Sequence, residues 1–210
     1  MEERLLSIVE NEVQIAALTI FAGLYALKLR WLLSRPSVRD LAQPKGSAGY
    51  GVAAAFSVMF RPWAMPSTRQ HWVRWLEFSL LHVGIGTAIL YSFLIPYVEG
   101  ILEWPGTRVA AVAVAVGFGA GVVRLVRRVA SPDIRVISSP DDYFSLAVVD
   151  IFLLLGVFAL CDLYWGRLLF FALTALLLVY VPTSKISHYL YWPFARVFYG
   201  AHFGRRAVVQ

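Results

Sequence analysis

Five runs of about twenty mostly apolar residues dominate this chain, and each is long enough to cross a bilayer as a helix. A hydrocarbon core of about 30 Å needs roughly 20 residues per helix. The composition agrees with lipid as the solvent, since 59% of the 210 residues are hydrophobic and only 15% are charged. A disordered chain, a coiled coil and a nucleic-acid-binding domain are thereby excluded. The sequence predicts an all-α integral membrane bundle of five transmembrane helices, at about residues 13–33, 72–98, 108–123, 143–160 and 168–191.

Basic residues are distributed unevenly among the loops and helix ends, and their distribution predicts an orientation. Sixteen of the 19 Lys and Arg residues lie in the loops and adjoining helix ends between spans one and two and between spans three and four, or at the end of span five and beyond it. The opposite side holds Arg4, Arg108 and Arg167. Because cytoplasmic loops carry the excess of Lys and Arg, we expect the N-terminus outside and the C-terminus in the cytoplasm. The net charge of +6 is then an orientation signal, and no nucleic-acid partner is needed to explain it.

The domain organisation is expected to be a single membrane domain over residues 1–210. It has a long cytoplasmic loop, 34–70, and a cytoplasmic tail, 192–210. Within the loop, the apolar stretch GYGVAAAFSVMF is too short to span and predicts an interfacial or partner-facing helix. The acidic N-terminal segment lacks a basic region and a small-residue cleavage site, so a removable signal peptide is not predicted.

Four histidines, His71, His82, His188 and His202, occur as two pairs, one at the start of the second span and one at the end of the fifth. Spacings of 11 and 14 residues, at 100° per residue, place each pair on one helix face. Antiparallel spans would pair His82 with His188 deep in the membrane and His71 with His202 nearer the cytoplasm.

Facing pairs of neutral imidazoles are the ligand set of b-type haems. The single Cys161 and the absence of a Cys-x-x-Cys-His motif exclude a covalent c-type haem. The pattern therefore predicts two b haems. The alternative is a set of interfacial polar residues that bind no metal.

The segment PTSKISHYLYWP, which contains His188, resembles the last helix of the respiratory nitrate reductase gamma subunit. That family includes membrane cytochromes associated with sulfite reductase, heterodisulfide reductase and hydrogenase. The resemblance implies five helices, an external N-terminus and b haems ligated from the second and fifth helices. It also implies a prokaryotic cytoplasmic membrane, exchange of electrons with quinone, and iron–sulfur and catalytic partner subunits.

The number of haems depends on the register of this resemblance. If His82 is the first ligand on the second helix, Ser92 stands where the nitrate reductase pattern has the next histidine. A single haem, held by His82 with His188 or His202, would then remain. If His71 is the first ligand, His82 is the second and two haems are expected.

Several other polar residues lie in or near the spans. Glu77 is a candidate proton relay or a partner of Arg74, and Asp150 is expected to accept a hydrogen bond from a neighbouring helix. The resemblance implies a quinone pocket near the outer haem, and the residues that could border it are Arg108, Tyr91 and Tyr97.

The function expected from these patterns is that of a di-haem electron-transfer subunit of a quinone-reactive membrane oxidoreductase. The alternative is a haem-free or single-haem membrane anchor for a soluble oxidoreductase. Whether the chain itself is an enzyme stays undecided, because the terminal chemistry would belong to partner subunits.

Overall fold

Helices make up the computed structural model, which describes residues 2–35 and 43–208, and no strand occurs in these ranges. The α-helices are α1 (Glu2–Glu10), α2 (Glu12–Leu33), α3 (Ala48–Ser57), α4 (Pro66–Gln70), α5 (Trp72–Tyr97), α6 (Pro105–Ala130), α7 (Pro132–Val136), α8 (Pro140–Leu160), α9 (Tyr164–Tyr180) and α10 (His188–Arg205). Short 3₁₀ turns cover Val58–Phe60, Pro62–Ala64, Val181–Thr183 and Lys185–Ser187.

Five helical segments of the described chain are long and apolar enough to cross a membrane, which confirms the all-α class and the number of spans. They are Glu2–Leu33, Trp72–Tyr97, Pro105–Ala130, Pro140–Leu160 and Tyr164–Thr183. Proline at the first position starts α6 and α8, where its missing N–H costs no helical hydrogen bond. A capping box between Ser139 and Asp142 also fixes the start of α8. The sidedness of the termini stays a prediction.

The fifth span ends earlier than the apolar composition suggested. It was expected to continue to about residue 191, but α9 ends at Tyr180 and the span ends at Thr183. Pro182 has no N–H to continue the helical ladder, and two 3₁₀ turns follow before α10 begins at His188. The predicted tail, 192–210, therefore starts inside a separate helix.

The chain divides into two compact units, each described by its own contacts. The span unit comprises Met1–Leu27 and Leu76–Lys185, and the loop unit comprises Lys28–Trp75 and Ile186–Gln210. The prediction that residues 1–210 form a single domain is not tested by this division.

Arg39 was among the sixteen basic residues used to predict the orientation, and it lies outside the described residues.

The span unit has a core of apolar side chains from four helices. Its buried members are Leu81, Ala88, Tyr91 and Ile95 of α5, Ala110, Val114 and Ala120 of α6, Phe152, Leu153, Ala159 and Leu160 of α8, and Phe170 and Phe171 of α9. Gly84 and Gly117 bring α5 and α6 into backbone contact, since a methyl group on either would lie 2.8 Å from the other's Cα. Small residues allow this close approach, as is common in membrane helix pairs.

In the loop unit, α3 packs against α10 through glycines. A Cβ on Gly51 would overlap the carbonyl oxygen of Gly200, and a Cβ on Gly204 would overlap that of Ser47. The N–H groups of Lys45 and Gly46 both donate to the Arg205 carbonyl, at 2.7 and 3.0 Å. The short apolar stretch of the long loop is thus a helix, as predicted, and α10 covers one of its faces.

Candidate functional site

His82 lies on α5 in the span unit, on a face that the unit leaves exposed. Its Nδ1 is 2.8 Å from the Phe78 carbonyl oxygen, and its ring centroid is 3.9 Å from that of Phe78. Because a carbonyl only accepts hydrogen bonds, Nδ1 must carry the hydrogen. In the neutral ring the lone pair is then on Nε2, and haem-ligating histidines are commonly fixed in this way.

His71 does not belong to the same helix as His82. It lies between α4 and α5 with non-helical angles, φ −129° and ψ 44°, and its carbonyl accepts from the N–H groups of Arg74 and Trp75. The helical rotation that gave both histidines one face therefore does not apply to His71. The side chain of His71 is exposed.

His188 and His202 do share a helix, but that helix is α10 and not the fifth span. His188 is its first residue and is exposed, whereas His202 is half-buried and stacks on Phe198 with a centroid distance of 6.2 Å. Pro193 lies inside the helix between them.

The four histidines are thus divided between the units, with His82 in the span unit and the other three in the loop unit. Their pairing as haem ligands stays a prediction. Among the described residues no group of three or more His, Cys, Asp or Glu side chains is arranged to hold a metal ion. A b haem takes only two protein ligands, so this finding does not test haem binding.

Glu77 is buried, with 8% of its surface exposed, and it is paired with Arg127 of α6. Both guanidinium nitrogens of Arg127 donate to the carboxylate, Nη2 to Oε1 at 2.8 Å and Nη1 to Oε2. This fork geometry is the strongest form of charge-assisted hydrogen bond. Of the two sequence expectations for Glu77, an arginine pair is present, but its partner is Arg127 and not Arg74.

Asp150, on α8, is 5% exposed, and neither carboxylate oxygen has a hydrogen-bond partner among the described residues. The expected hydrogen bond from a neighbouring helix is therefore absent from this part of the chain. Its carboxylate lies against Gly121 of α6, where a methyl group would overlap it.

A second charged group lies where α6 ends and α8 begins. Lys185 Nζ is 3.1 Å from Asp142 Oδ1, and Arg128 Nη1 donates to Ser138 Oγ at 2.7 Å and is 3.9 Å from Asp142 Oδ2. Three arginines lie near the C-terminal end of α6, and two of them, Arg127 and Arg128, thus have partners. Among the described residues, Arg124 forms neither a hydrogen bond nor an ion pair, although it is attracted by Glu77.

At the opposite end of the span unit, Arg167 at the start of α9 binds two acidic residues. Its Nε and Nη2 donate to the two oxygens of buried Glu10, at 3.0 and 3.1 Å, and its Nη1 donates to Asp162 at 3.0 Å. One turn further along the first span, Gln14 Nε2 donates to the Phe171 carbonyl at 2.6 Å. These bonds fasten the first span to the fifth.

The three quinone candidates have different environments. Tyr91 is buried, and its hydroxyl is 3.2 Å from that of Thr107, which in turn donates to the Ile101 carbonyl at 2.5 Å. Tyr97 and Arg108 are exposed. Tyr91 thus joins α5 to the start of α6, and Tyr97 and Arg108 are the accessible members of the set.

A cavity of about 440 Å³ lies between α3 and α10 in the loop unit. Its walls are mostly apolar, with Trp192, Tyr199 and Phe203 as aromatic members and Arg196 as the cation. The Arg196 guanidinium is 5.3 Å from the centroid of the Trp192 ring. A mostly apolar cavity with one cation suits an apolar ligand that carries a hydrogen-bond acceptor.

Sequence reasoning missed the partners of the buried charges. Glu77 and Arg127 are 50 residues apart, and Glu10 and Arg167 are 157 apart. The available signal was that each acidic residue lies in or beside an apolar span, where an unpaired charge is costly.

No protein-family model, curated protein or solved structure matches this chain. The resemblance to the nitrate reductase gamma family therefore stays a prediction.

Proposed function

We propose that this chain is a membrane cytochrome b subunit that passes electrons between a quinone and an iron–sulfur partner. The observation that carries the proposal is the bond from His82 Nδ1 to the Phe78 carbonyl, which puts the lone pair of the neutral ring on Nε2. That is the atom and tautomer required of an axial haem ligand. A bound haem would supply one-electron transfer, while the chain holds the imidazoles and the apolar surroundings.

The packing limits where a haem at His82 would lie. Gly84 and Gly117 fill the seam between α5 and α6 with backbone, so a macrocycle does not fit between these helices there. His82 is on an exposed face of α5, beside Phe78, Val83 and Ile89. We therefore expect the macrocycle on that outer face, where apolar side chains favour it.

The test of the proposal is haem stoichiometry of the purified chain, expressed with ample haem and measured by reduced-minus-oxidised spectra and pyridine haemochrome. We expect about one or two b haems per chain, and His82→Ala is expected to lose at least one. Thr87→Ala is the matched control, because Thr87 also bonds the carbonyl four residues earlier on α5, at 2.8 Å. Corresponding losses in His71→Ala, His188→Ala and His202→Ala would identify the other ligands.

Absence of haem from a folded, haem-supplied preparation would overturn the proposal and leave the membrane anchor as the better account. An unchanged haem content in His82→Ala would remove His82 from the ligand set.

The quinone is proposed to bind at one of two arginines, and a matched pair of variants separates them. Arg108 is the exposed candidate and follows Thr107, whose hydroxyl contacts that of Tyr91, and Arg196 lines the loop-unit cavity. We expect Arg108→Gln or Arg196→Gln to slow reduction of the cytochrome by a quinol, without loss of haem. Equal rates in both variants and the unmodified chain would exclude both places.

The orientation is proposed to be N-terminus outside and C-terminus cytoplasmic, in a prokaryotic cytoplasmic membrane. The single Cys161 is exposed after α8, which this orientation places outside. A membrane-impermeant thiol reagent is expected to label Cys161 in intact cells and not a Cys161→Ser variant carrying Ser131→Cys. The reverse labelling pattern would invert the topology.

A further inference from the structure

Asp150 occupies the middle of a membrane span. It has ten residues of α8 on either side, so it lies about 15 Å along the axis from both ends of that helix. It is 5% exposed, and among the described residues its two oxygens accept no hydrogen bond. An ionisable side chain in such a place calls for a function, because apolar surroundings select against it.

The space around this carboxyl group exists because a side chain is missing on α6. A methyl group at Gly121 would overlap Asp150 Oδ1, and it would lie 3.3 Å from Leu81 Cδ1 of α5. The Asp150 carboxyl group on α8 therefore lies close to both α5 and α6. Neither Leu81 nor Gly121 has a side chain that can donate a hydrogen bond to it. An ionised carboxylate in this position would be desolvated without compensation, whereas a neutral carboxyl group loses much less.

We propose that Asp150 is a proton-binding site that holds its proton in the arrangement described here, and that Arg124 is the counter-charge when the proton leaves. On release, the O–H bond breaks, its electron pair stays on the carboxylate, and the proton passes to a water molecule.

Arg124 is the arginine nearest to Gly121 along α6, and in the arrangement described here it is attracted by Glu77. It follows Gly121 by three residues, so both lie on the same side of α6, and helical side chains lean towards the N-terminus, here towards Gly121. Arg127 is engaged by Glu77 and Arg128 by Ser138, whereas Arg124 is half-buried without a hydrogen bond or ion pair among the described residues.

The charged and titratable groups on the helices that surround Asp150 complete this environment. They include Glu77 and His82 on α5, Arg124, Arg127 and Arg128 on α6, Asp141, Asp142 and Tyr143 in the first turn of α8, and Tyr180 on α9. Asp141 and Asp142 lie two turns or more from Asp150 along α8, and Tyr180 donates to Asp141 at 3.0 Å. Of the three arginines near the C-terminal end of α6, Arg124 is thus the one that forms no hydrogen bond or ion pair with the described residues.

Infrared spectroscopy of the whole chain in lipid nanodiscs tests the proton site. At neutral pH we expect the carbonyl stretch of a protonated carboxylic acid, which shifts on transfer to D₂O. Asp150→Asn is expected to lose the band, and Asp133→Asn, a change at an exposed position, is expected to keep it. A band that persists in Asp150→Asn would overturn the proposal. If that variant does not fold, Gly121→Ala serves instead, because its methyl group must displace the carboxyl group; an unchanged band there would also contradict it.

The rate of the hydrogen–deuterium shift tests the role of Arg124. Arg124→Gln is expected to slow it by about tenfold or more, the factor that corresponds to about 1.4 kcal/mol of lost stabilisation of the ionised form. Arg128→Gln is the control from the same helix. Equal rates in both variants would remove Arg124 from the proposal. The infrared band does not require haem, so its outcome is independent of the cytochrome proposal.

Discussion

Glu77 and Asp150, two of the carboxyl groups buried in the span unit, have similar exposure and opposite surroundings. Glu77 is 8% exposed and accepts hydrogen bonds from both terminal nitrogens of the Arg127 guanidinium. Asp150 is 5% exposed and accepts no hydrogen bond from the described residues. Burial alone therefore does not decide what an acidic residue does inside a membrane protein. The donors around it do, because a forked arginine stabilises the ionised carboxylate, whereas a buried carboxyl group without donors favours its neutral, protonated form.

The largest effect is expected from breaking the paired site. Glu77→Gln leaves the half-buried Arg127 cation without its counter-charge, and loss of one member of a buried pair costs about 3–5 kcal/mol. The free energy of unfolding in mixed micelles measures this loss. The double variant Glu77→Gln/Arg127→Gln is expected to recover most of it, and a single-variant loss below about 1 kcal/mol would show that the pair is not a strong constraint.

A smaller effect is expected from filling the space beside the unpaired site. Gly121→Ala introduces a methyl group that overlaps the Asp150 carboxylate, and overpacking of this kind costs about 1–3 kcal/mol. Gly119→Ala is the matched control on the same helix, since nothing lies within 4 Å of a methyl group there. Equal thermal midpoints for the two variants would mean that the Asp150 side chain moves aside for the methyl group without measurable cost.

The smallest effect is expected from Asp150→Asn, the counterpart of Glu77→Gln. It exchanges one neutral, unpartnered group for another of the same shape, so we expect the free energy of unfolding to change by less than about 1 kcal/mol. The same unfolding assay measures it. A loss as large as that of Glu77→Gln would show that Asp150 is ionised and paired, which would also contradict the proton site.

The five spans could be predicted from the sequence because each is specified by consecutive residues. Length and apolar composition determine whether a segment crosses a bilayer, and no tertiary information is needed. The end of the fifth span was missed because the prediction continued the span to Tyr191 across the largely polar segment PTSKISH. Pro182 ends the helical ladder there, and His188 starts another helix.

The candidate site could be predicted only in part. The spacing of His188 and His202 on one helix holds, whereas His71 lies one residue before α5 and takes another backbone conformation. Arg74 was expected beside Glu77 because it is its neighbour one turn away in sequence. The choice of Arg127 depends on how α5 packs on α6, and a single sequence does not contain that geometry.

The bonds between the first and fifth spans have a consequence for synthesis of the chain. Glu10 and Gln14 each bond to a residue 157 positions later, Arg167 and Phe171. At about 5–20 residues per second, the ribosome needs roughly 8–30 s to deliver those partners. During that interval the Glu10 carboxylate and the Gln14 amide of the nascent chain have no Arg167 and Phe171 to bond with, because those residues are not yet synthesised. A translational pause or truncation before α9 would leave them exposed to the insertion machinery and to quality-control proteases.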